Sequence, residues 1–470
     1  MQSSNLTYNY LTPLNYFKNN ITKKSIDEYN KKRKDISLKF KEIKNEKVAM
    51  LYYQIPSDEQ KNQSDVSLTD LSDPIFWSKS LIIDTENNKV IASQGNKIIK
   101  NNDTIEYLRD CDWEKVTVYK SYEGTMIVIY YHNDKWNIST RRCFDANIKP
   151  WIKGQSFKSM FEDIIKDTQF KFDDLDKENC YHFILIHHEN QNIVRYDKRY
   201  GDEYKKLIHM MTTKKYTMDE VIHKVPLLYK NSLGFDVIEP VKQCFFNNLE
   251  HMLSATNKLN HVSTKYKRIT EEGFYIKAYQ GKVNQSSFVN LKLQTKIYDE
   301  IFKMKPNQSN TYLVYLGLYQ KNELKSYLQY FNSHYKKEIS IIDIAFKNIA
   351  SEILSLYHMT RQKNNQPMYS LLNTTYKKIL YKLHGIYINK TQNNDYQPEI
   401  KKGDERKMFI NQSVDIHDVY TYLKEIPLIS LKNILYERRE LIAKHSDTML
   451  FLNKSSETKI LTDLIYGTQK

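Results

Sequence analysis

Val118-Tyr-Lys-Ser-Tyr-Glu-Gly-Thr125 decides how the rest of the chain is read. Val118, Tyr119, Tyr122 and Thr125 are β-branched or aromatic, the residue types of a strand, and Glu-Gly supplies a turn toward its end. Similar β-branched and aromatic runs, broken by Asn, Asp and Gly, surround it at residues 80–84, 89–92, 126–131, 136–139 and 181–186. Helical spacing interrupts them at residues 156–167 and 240–255. Strands and helices mixed within one unit predict an α+β domain built on antiparallel sheets.

Beyond Tyr298 the pattern turns helical. Ile416, Val419, Leu423 and Ile426 recur at helical spacing, Pro427 ends that run, and Leu431, Ile434, Leu435, Arg438 and Leu441 carry the next helix. Residues 391–406 are polar and are expected as a loop. Upstream, residues 25–47 are expected to be helical from Ile26, Tyr29, Ile36, Phe40 and Ile43, with a polar loop at 57–73. Three regions follow: an N-terminal elaboration over 1–74, a sheet domain over 75–300 and an all-α domain over 301–470. A chain of 470 residues is long enough to fill more than one core.

Lys and Arg number 71 against 56 Asp and Glu, a formal charge of +15, which suits a phosphate polymer as partner and excludes a mimic of acidic ligands. Enrichment in Lys, Asn, Ile and Tyr also follows from an AT-rich genome, so the 37 tyrosines say little about base stacking. Cys111, Cys143, Cys180 and Cys244 are scattered without paired spacing, which argues against a zinc ribbon or disulfide framework and for a reducing compartment. The chain has no apolar run long enough to span a membrane, and Met1-Gln-Ser-Ser-Asn5 does not open a signal peptide, so neither secretion nor membrane insertion is expected. The signatures of P-loop enzymes, dinucleotide-binding turns, zincins and serine hydrolases are missing.

Four further segments stand downstream of the first in a fixed order: Ser139-Thr-Arg-Arg142, Phe183-Ile-Leu-Ile-His-His-Glu-Asn190, Glu271-Glu-Gly-Phe-Tyr-Ile-Lys277 and Asn290-Leu-Lys-Leu-Gln-Thr-Lys-Ile-Tyr298. With 118–125 they resemble the motifs of the lysine-adenylating nucleotidyltransferases, and among these most nearly the RNA ligases of phages and large DNA viruses. The likeness covers about residues 77–298, with a looser similarity of the tail to tRNA-repair ligases. It implies an antiparallel-sheet nucleotidyltransferase (ATP-grasp-like ligase) domain followed by an all-α C-terminal domain. ATP and Mg²⁺ would be the cofactors and RNA, possibly tRNA, the partner. The activity would be self-adenylation followed by sealing of an RNA 5′-phosphate to a 3′-hydroxyl, an RNA repair reaction in the cytoplasm of a host or in a virion. The alternative is an inactive member that keeps the scaffold to bind RNA or a protein.

In that family the acceptor lysine stands in Lys-x-Asp-Gly. An ungapped match on Glu123-Gly124 puts Ser121 there, with Lys120 one residue early. Because strand side chains alternate, Lys120 is the nucleophile only if a bulge reorients it; otherwise it is a solvated strand lysine. The resemblance further implies Lys79, Glu123, Gly124, Arg141, Lys277 and Lys292 as nucleotide-binding residues, and Glu272 as a catalytic and metal-binding carboxylate. Leu185 occupies the position of a family carboxylate, Arg142 that of a glycine, and Gln294 that of a second lysine. His182, His187 and His188 are read as hydrogen-bonded residues in preference to metal ligands. In the tail, Lys432, Arg438, Arg439 and Lys444 form a basic face that either meets RNA phosphate or is merely solvated.

Overall fold

The computed structural model describes residues 11–18, 20–33, 36–55, 70–147, 155–190, 192–284, 287–305, 308, 310–331, 335–361, 366–392, 413–445, 449, 452 and 456–467. The chain forms two compact units, residues 1–303 and 304–470. Most of the loops expected at 57–73 and 391–406, and the residues Met1 to Asn5, lie outside the described residues.

The first unit begins with α1 (Thr12–Tyr16) and α2 (Lys23–Asn30), then β1 (Ser37–Ile43), β2 (Val48–Gln54), β3 (Leu81–Asp84), β4 (Lys89–Ser93) and β5 (Ile99–Lys100). After α3 (Asn101–Arg109) come β6 (Val116–Ser121), β7 (Thr125–His132), β8 (Lys135–Ser139) and α4 (Phe157–Ile165). Next are β9 (Asn179–His187), α5 (Asp197–Tyr200), β10 (Lys205–Lys214), β11 (Glu220–Val221), β12 (Tyr229–Lys230), β13 (Asp236–Pro240) and β14 (Gln243–Cys244). α6 (Leu249–Tyr266), β15 (Gly273–Tyr279), β16 (Phe288–Gln294) and α7 (Lys296–Met304) complete it.

Three sheets result, ordered β1-β2-β3-β4, β12-β13-β10-β9-β7-β8 and β14-β6-β15-β16-β5. Their pairs are antiparallel except β10 with β13 and β16 with β5. The expected α+β class, with antiparallel sheets and a helical second part, is what the chain adopts.

Two expectations for the N-terminal region are corrected. Residues 37–43 are a strand, because Leu38 and Phe40 alternate with charged residues and the segment pairs with β2 along its whole length. β2 in turn pairs with β3, so residues from the first 74 are half of a sheet and no separate elaboration. The helix expected at 240–255 starts later, at Leu249, where the Asn248 side chain accepts from the His251 amide. α4 falls where its spacing predicted, started by a capping box between Ser156 and Ser159.

One face of the five-stranded sheet is apolar. Val118, Phe274, Ile276, Val289, Leu291 and Leu293 join Leu108 of α3, Met252 of α6 and the inner residues Leu51, Leu81 and Val90 of the four-stranded sheet in one core. By alternation the other face carries Tyr119, Ser121, Tyr275, Lys277, Asn290, Lys292 and Gln294, and at its lower end Met211 of β10 packs on Tyr279 and Phe288. This polar face is where the chemistry-bearing residues gather.

The second unit holds α8 (Thr311–Gln320), α9 (Leu324–Leu328), α10 (Tyr335–Arg361), α11 (Gln366–Leu371), α12 (Thr374–Gln392), α13 (Ile416–Glu425), α14 (Leu428–Lys444) and α15 (Ser456–Tyr466). α10 is its axis, burying Ile342, Phe346, Ile349 and Ile353 among the other helices. Asp415 and Asp418 box the start of α13, and Pro427 separates it from α14. Arg438 of α14 is buried, not presented to solvent: Nε and Nη2 donate to the two carboxylate oxygens of Glu352 at 2.8 and 2.9 Å, and Nη2 also meets the Leu452 carbonyl. It is therefore withdrawn from the expected basic face. Arg439 lies over the rings of Tyr436 and Tyr466, and Lys444 pairs with Glu440 on the surface. Among the described residues no helix is long and apolar enough to cross a membrane.

Candidate functional site

The register between β6 and β15 sets the site. Ser121 lies opposite Gly273 and Lys120 opposite Phe274, without a shift along the pair. The bulge that Lys120 needed as nucleophile is not there, so it points away from the polar face as strand alternation implies; the expectation of a solvated lysine is corrected, because the side chain is buried. Lys120 stays on the apolar side of the sheet, where its amine donates to Glu271 Oε1 at 2.6 Å and lies 5.6 Å from the Tyr122 ring centroid. Ser121 faces the polar side and donates through Oγ to Glu272 Oε2 at 2.7 Å.

Glu272 is almost fully buried and is met by three side chains. Besides Ser121, Lys292 reaches both carboxylate oxygens at 2.9 and 3.1 Å, and Gln294 Nε2 donates to Oε1 at 2.8 Å. Burial opposes its ionisation, but Lys292, Ser121 and Gln294 outweigh this and hold the carboxyl below its ordinary value. The residue preceding β15 is thus a satisfied counter-ion. Gly273 is required beside it, since φ is +142° and a Cβ would stand 2.1 Å from the Leu293 carbonyl oxygen.

Lys292 continues toward a second group of cations. It is the register partner of Lys100 on the parallel strand β5, and next to them is a cavity of about 150 Å³ lined by Tyr53, Ile55, Lys79, Lys97, Ile98, Lys100, Arg141 and Arg142. That is room for roughly five waters. Five of the eight lining residues are cations and none is acidic. Among the described residues no ion pair joins Lys79, Lys100, Arg141 or Arg142 to a carboxylate. Arg141 stacks 4.2 Å from the Tyr53 ring centroid and donates to the Tyr53 carbonyl at 3.3 Å, while its buried Nε has no hydrogen-bond partner. Burial, then Arg141, Lys292 and Lys100, bring the Lys79 amine down to about 7. Burial and Lys292 depress Lys100 as well, against the pull of Glu272 and Asp299. Such a cavity attracts a multiply charged anion whose oxygens would satisfy these donors.

The remaining expected residues are engaged elsewhere. Glu123 accepts the Ile193 and Val194 amides at 2.6 and 2.7 Å and a hydrogen bond from the Tyr298 hydroxyl, while Tyr196 brackets its backbone. It staples three distant segments, and that engagement replaces the expected approach to a nucleotide. Gly124 packs against β9, where a Cβ would stand 2.5 Å from the Leu185 carbonyl oxygen. Lys277 is buried against Glu220 of β11, which also accepts from the Tyr279 hydroxyl, and lies between the rings of Tyr119 and Phe288. Leu185 is fully buried in the core beneath β7, β9 and α4. His182 bonds Thr213 and is driven to about 3 by burial, His209, Lys277 and Lys79, so it is neutral near pH 7. His187 bonds Asp163.

Sequence reasoning missed Lys97, Lys100, Arg142, Tyr53 and Glu220. The two lysines of Lys97-Ile-Ile-Lys100 were readable as a charged pair ahead of a helix, but only the pairing of β5 with β16 brings them to Lys292.

The donor set fits a polyphosphate. It does not fit a divalent ion held by protein alone, since Glu272 is spent on its neighbours and no cluster of three His, Cys, Asp or Glu able to hold a metal exists among the described residues. Magnesium arriving on phosphate oxygens with its own waters would need no such cluster.

Fold and site together define an α+β unit of antiparallel sheets with a buried carboxylate beside a cationic cavity, followed by an all-α unit. No family model matches the chain, and no curated protein matches it. Among solved structures it is similar to two forms of an archaeal ATP-dependent RNA ligase, both at 11% identity. One has a TM-score of 0.36 over 67% of this chain and 71% of that one, the other 0.38 over 72% and 82%. A putative ATP-dependent DNA ligase from Aquifex aeolicus is similar at 10% identity and a TM-score of 0.34, over 68% and 72%. At those values no residue role passes from them to this chain.

Proposed function

We propose that the first unit is an ATP-binding, RNA-ligase-like module that grips the triphosphate in the cavity around Lys79, Lys100 and Arg141, with neither Lys120 nor Ser121 accepting an adenylate. The observation that carries this is the pair of contacts across β6: Ser121 on Glu272 on the polar face, and Lys120 on Glu271 behind it. Of the two expected functions, this favours binding of nucleotide and RNA over sealing through the strand lysine. The polar face supplies charge neutralisation and orientation, with Lys292 balanced between Glu272 and an incoming phosphate. The formal charge of +15 supports RNA as the polymeric partner.

Calorimetry with ATP tests the reading. Binding to the native chain, weakened about tenfold or more by Lys100→Met or Arg141→Met and unchanged by Lys120→Met, is expected. Binding that depends on Lys120 and ignores Arg141 would remove it.

A further inference from the structure

Two lysines stand on the polar face of the five-stranded sheet, and their partners differ in origin. Lys292 is paired by Glu272, just before β15, whereas Lys277 is paired by Glu220, which belongs to another sheet. Glu220 sits on β11, a strand of two residues that joins only β10, off the main path of the seven-stranded sheet. One carboxylate oxygen accepts from the buried Lys277 amine, and the other lies 2.9 Å from the Tyr279 hydroxyl. Two oxygens of a phosphate would meet the same donors, between the rings of Tyr119 and Phe288. No second carboxylate pairs with Lys277 among the described residues. Lys277 and Lys292 lie on adjacent strands two residues out of register, about 8 Å apart along the backbone, a spacing that a polyphosphate bridges.

The arm that carries Glu220 is held at few points. The turn before it passes through Tyr216 at φ 67° and Met218 at φ 59°, a left-handed conformation that is strained for any residue with a Cβ. Its tip is pinned: Met218 is buried, and the Lys215 and Tyr216 amides donate to the carbonyls of Glu178 and Val90. Beyond β11 the chain runs out to solvent, with Ile222 67% and Val225 77% exposed. Between tip and exposed stretch the arm keeps the pairs Val221 with Thr212 and Glu220 with Thr213, a hydrogen bond of His223 with the Thr212 hydroxyl, and the contacts of the Glu220 carboxylate.

Resting on the reading that the polar face and its cavity take phosphate, we propose that β11 is an autoinhibitory latch. Glu220 occupies the Lys277 end of the face as a built-in anion, and a phosphate-bearing ligand displaces it, swinging residues 219–223 away from β10 about the pinned turn. Opening without a ligand strands a buried amine, so the latch stays shut in the free chain. Exchange of one anion for another leaves Lys277 satisfied in both states, so only a ligand that reaches Lys277 shifts the equilibrium.

Hydrogen exchange on the native full chain tests this, with inorganic tripolyphosphate and, separately, with an oligoribonucleotide that carries no triphosphate. Amides of residues 219–223 should exchange about tenfold faster with a displacing ligand, while those of β9 stay unchanged. A response to either probe supports the latch, and the probe that opens it names the source of the phosphate. Glu220→Gln, of the same shape but uncharged, should bind that probe about tenfold tighter than the native chain, and adding Lys277→Met should erase the gain. Exchange at 219–223 that neither probe speeds, or a Glu220→Gln chain that binds no tighter, overturns the latch and makes Glu220 and Lys277 a structural pair. Tripolyphosphate binding that Arg141→Met still weakens would then leave the cavity reading standing. Failure of both tripolyphosphate and ATP to bind overturns the two together.

Discussion

Glu272→Gln separates two roles for the buried carboxylate. As a counter-ion it restrains Lys292 and repels anything negative in the cavity on the far side of that lysine. Adjacent strands lie about 4.8 Å apart and β5 is two strands from β15, which puts Glu272 on the order of 10 Å from phosphate oxygens gathered by Lys100. At an effective dielectric of about 20, a unit charge over that distance is worth on the order of 2 kcal/mol. Removing it should tighten ATP binding by up to about thirtyfold in calorimetry, with EDTA as well as with Mg²⁺. The same change leaves Lys292 short of its partner while Gln retains one acceptor, so urea denaturation should show a loss of about 1–3 kcal/mol. The pH dependence follows from the depressed carboxyl. A carboxylate whose folded value lies below its unfolded one stabilises the fold above the unfolded value and loses that contribution as pH falls through the folded value. The stability difference between native chain and variant should therefore shrink on acidification below about pH 4. Weaker ATP binding in the variant, seen only with Mg²⁺, would make Glu272 a metal ligand and refute the counter-ion argument.

Two further substitutions follow from contacts that the sequence did not show. Glu123→Ala removes the acceptor for two backbone amides and the Tyr298 hydroxyl, so the first unit should lose about 3–5 kcal/mol in urea melts; a stability within error of the native chain would mean that the staple is dispensable. Arg438→Met strands Glu352, whose carboxyl burial pushes up against the pull of Arg438, and should cost the second unit about 3–5 kcal/mol, less when combined with Glu352→Leu. The exposed Lys444→Glu should instead leave stability unchanged and lower the salt slope of RNA binding by about one; equal effects of the two substitutions on that slope would contradict the burial of Arg438.

What was legible in the sequence was periodicity. The strands β3, β4 and β7 to β9, the helix α4 and the helix pair α13 and α14 fall near where alternation or helical spacing put them. Lys79, Arg141 and Lys292, named from motif positions, border one cluster of cations. Pairing across long separations was not legible. Residues 25–47 read as helical because the charges between Ile36 and Ile43 also suit a helix face, and only the partner strand β2 decides for β1. Arg438 belongs by spacing to a basic face, yet its partner Glu352 lies 86 residues upstream. Glu123 occupies a motif position that suggests a ligand, and what holds it is a pair of amides 70 and 71 residues downstream.

The orientation of Lys120 is fixed more firmly than a single side chain would be. Moving it to the polar face requires β6 to slip by one residue against β15, and a slip inverts the whole strand. Val118, now packed with Ile276 and Leu291, would turn toward Lys277 and Lys292, and Tyr119 would enter the core. The C-terminal end of the strand resists this. Gly273, opposite Ser121, has no room for a Cβ against Leu293, and Gly124 is pressed onto Leu185 in the next sheet. Burying Val118 alone is worth about 1.5–3 kcal/mol, and exposing it while forcing a lysine beside Lys292 adds a repulsion of similar size. A slipped register would therefore be a rare state even before the Lys120 contact with Glu271 is broken. If adenylate is found on this chain, the amine that carries it must already face the cavity, which Lys120, held on Glu271, does not.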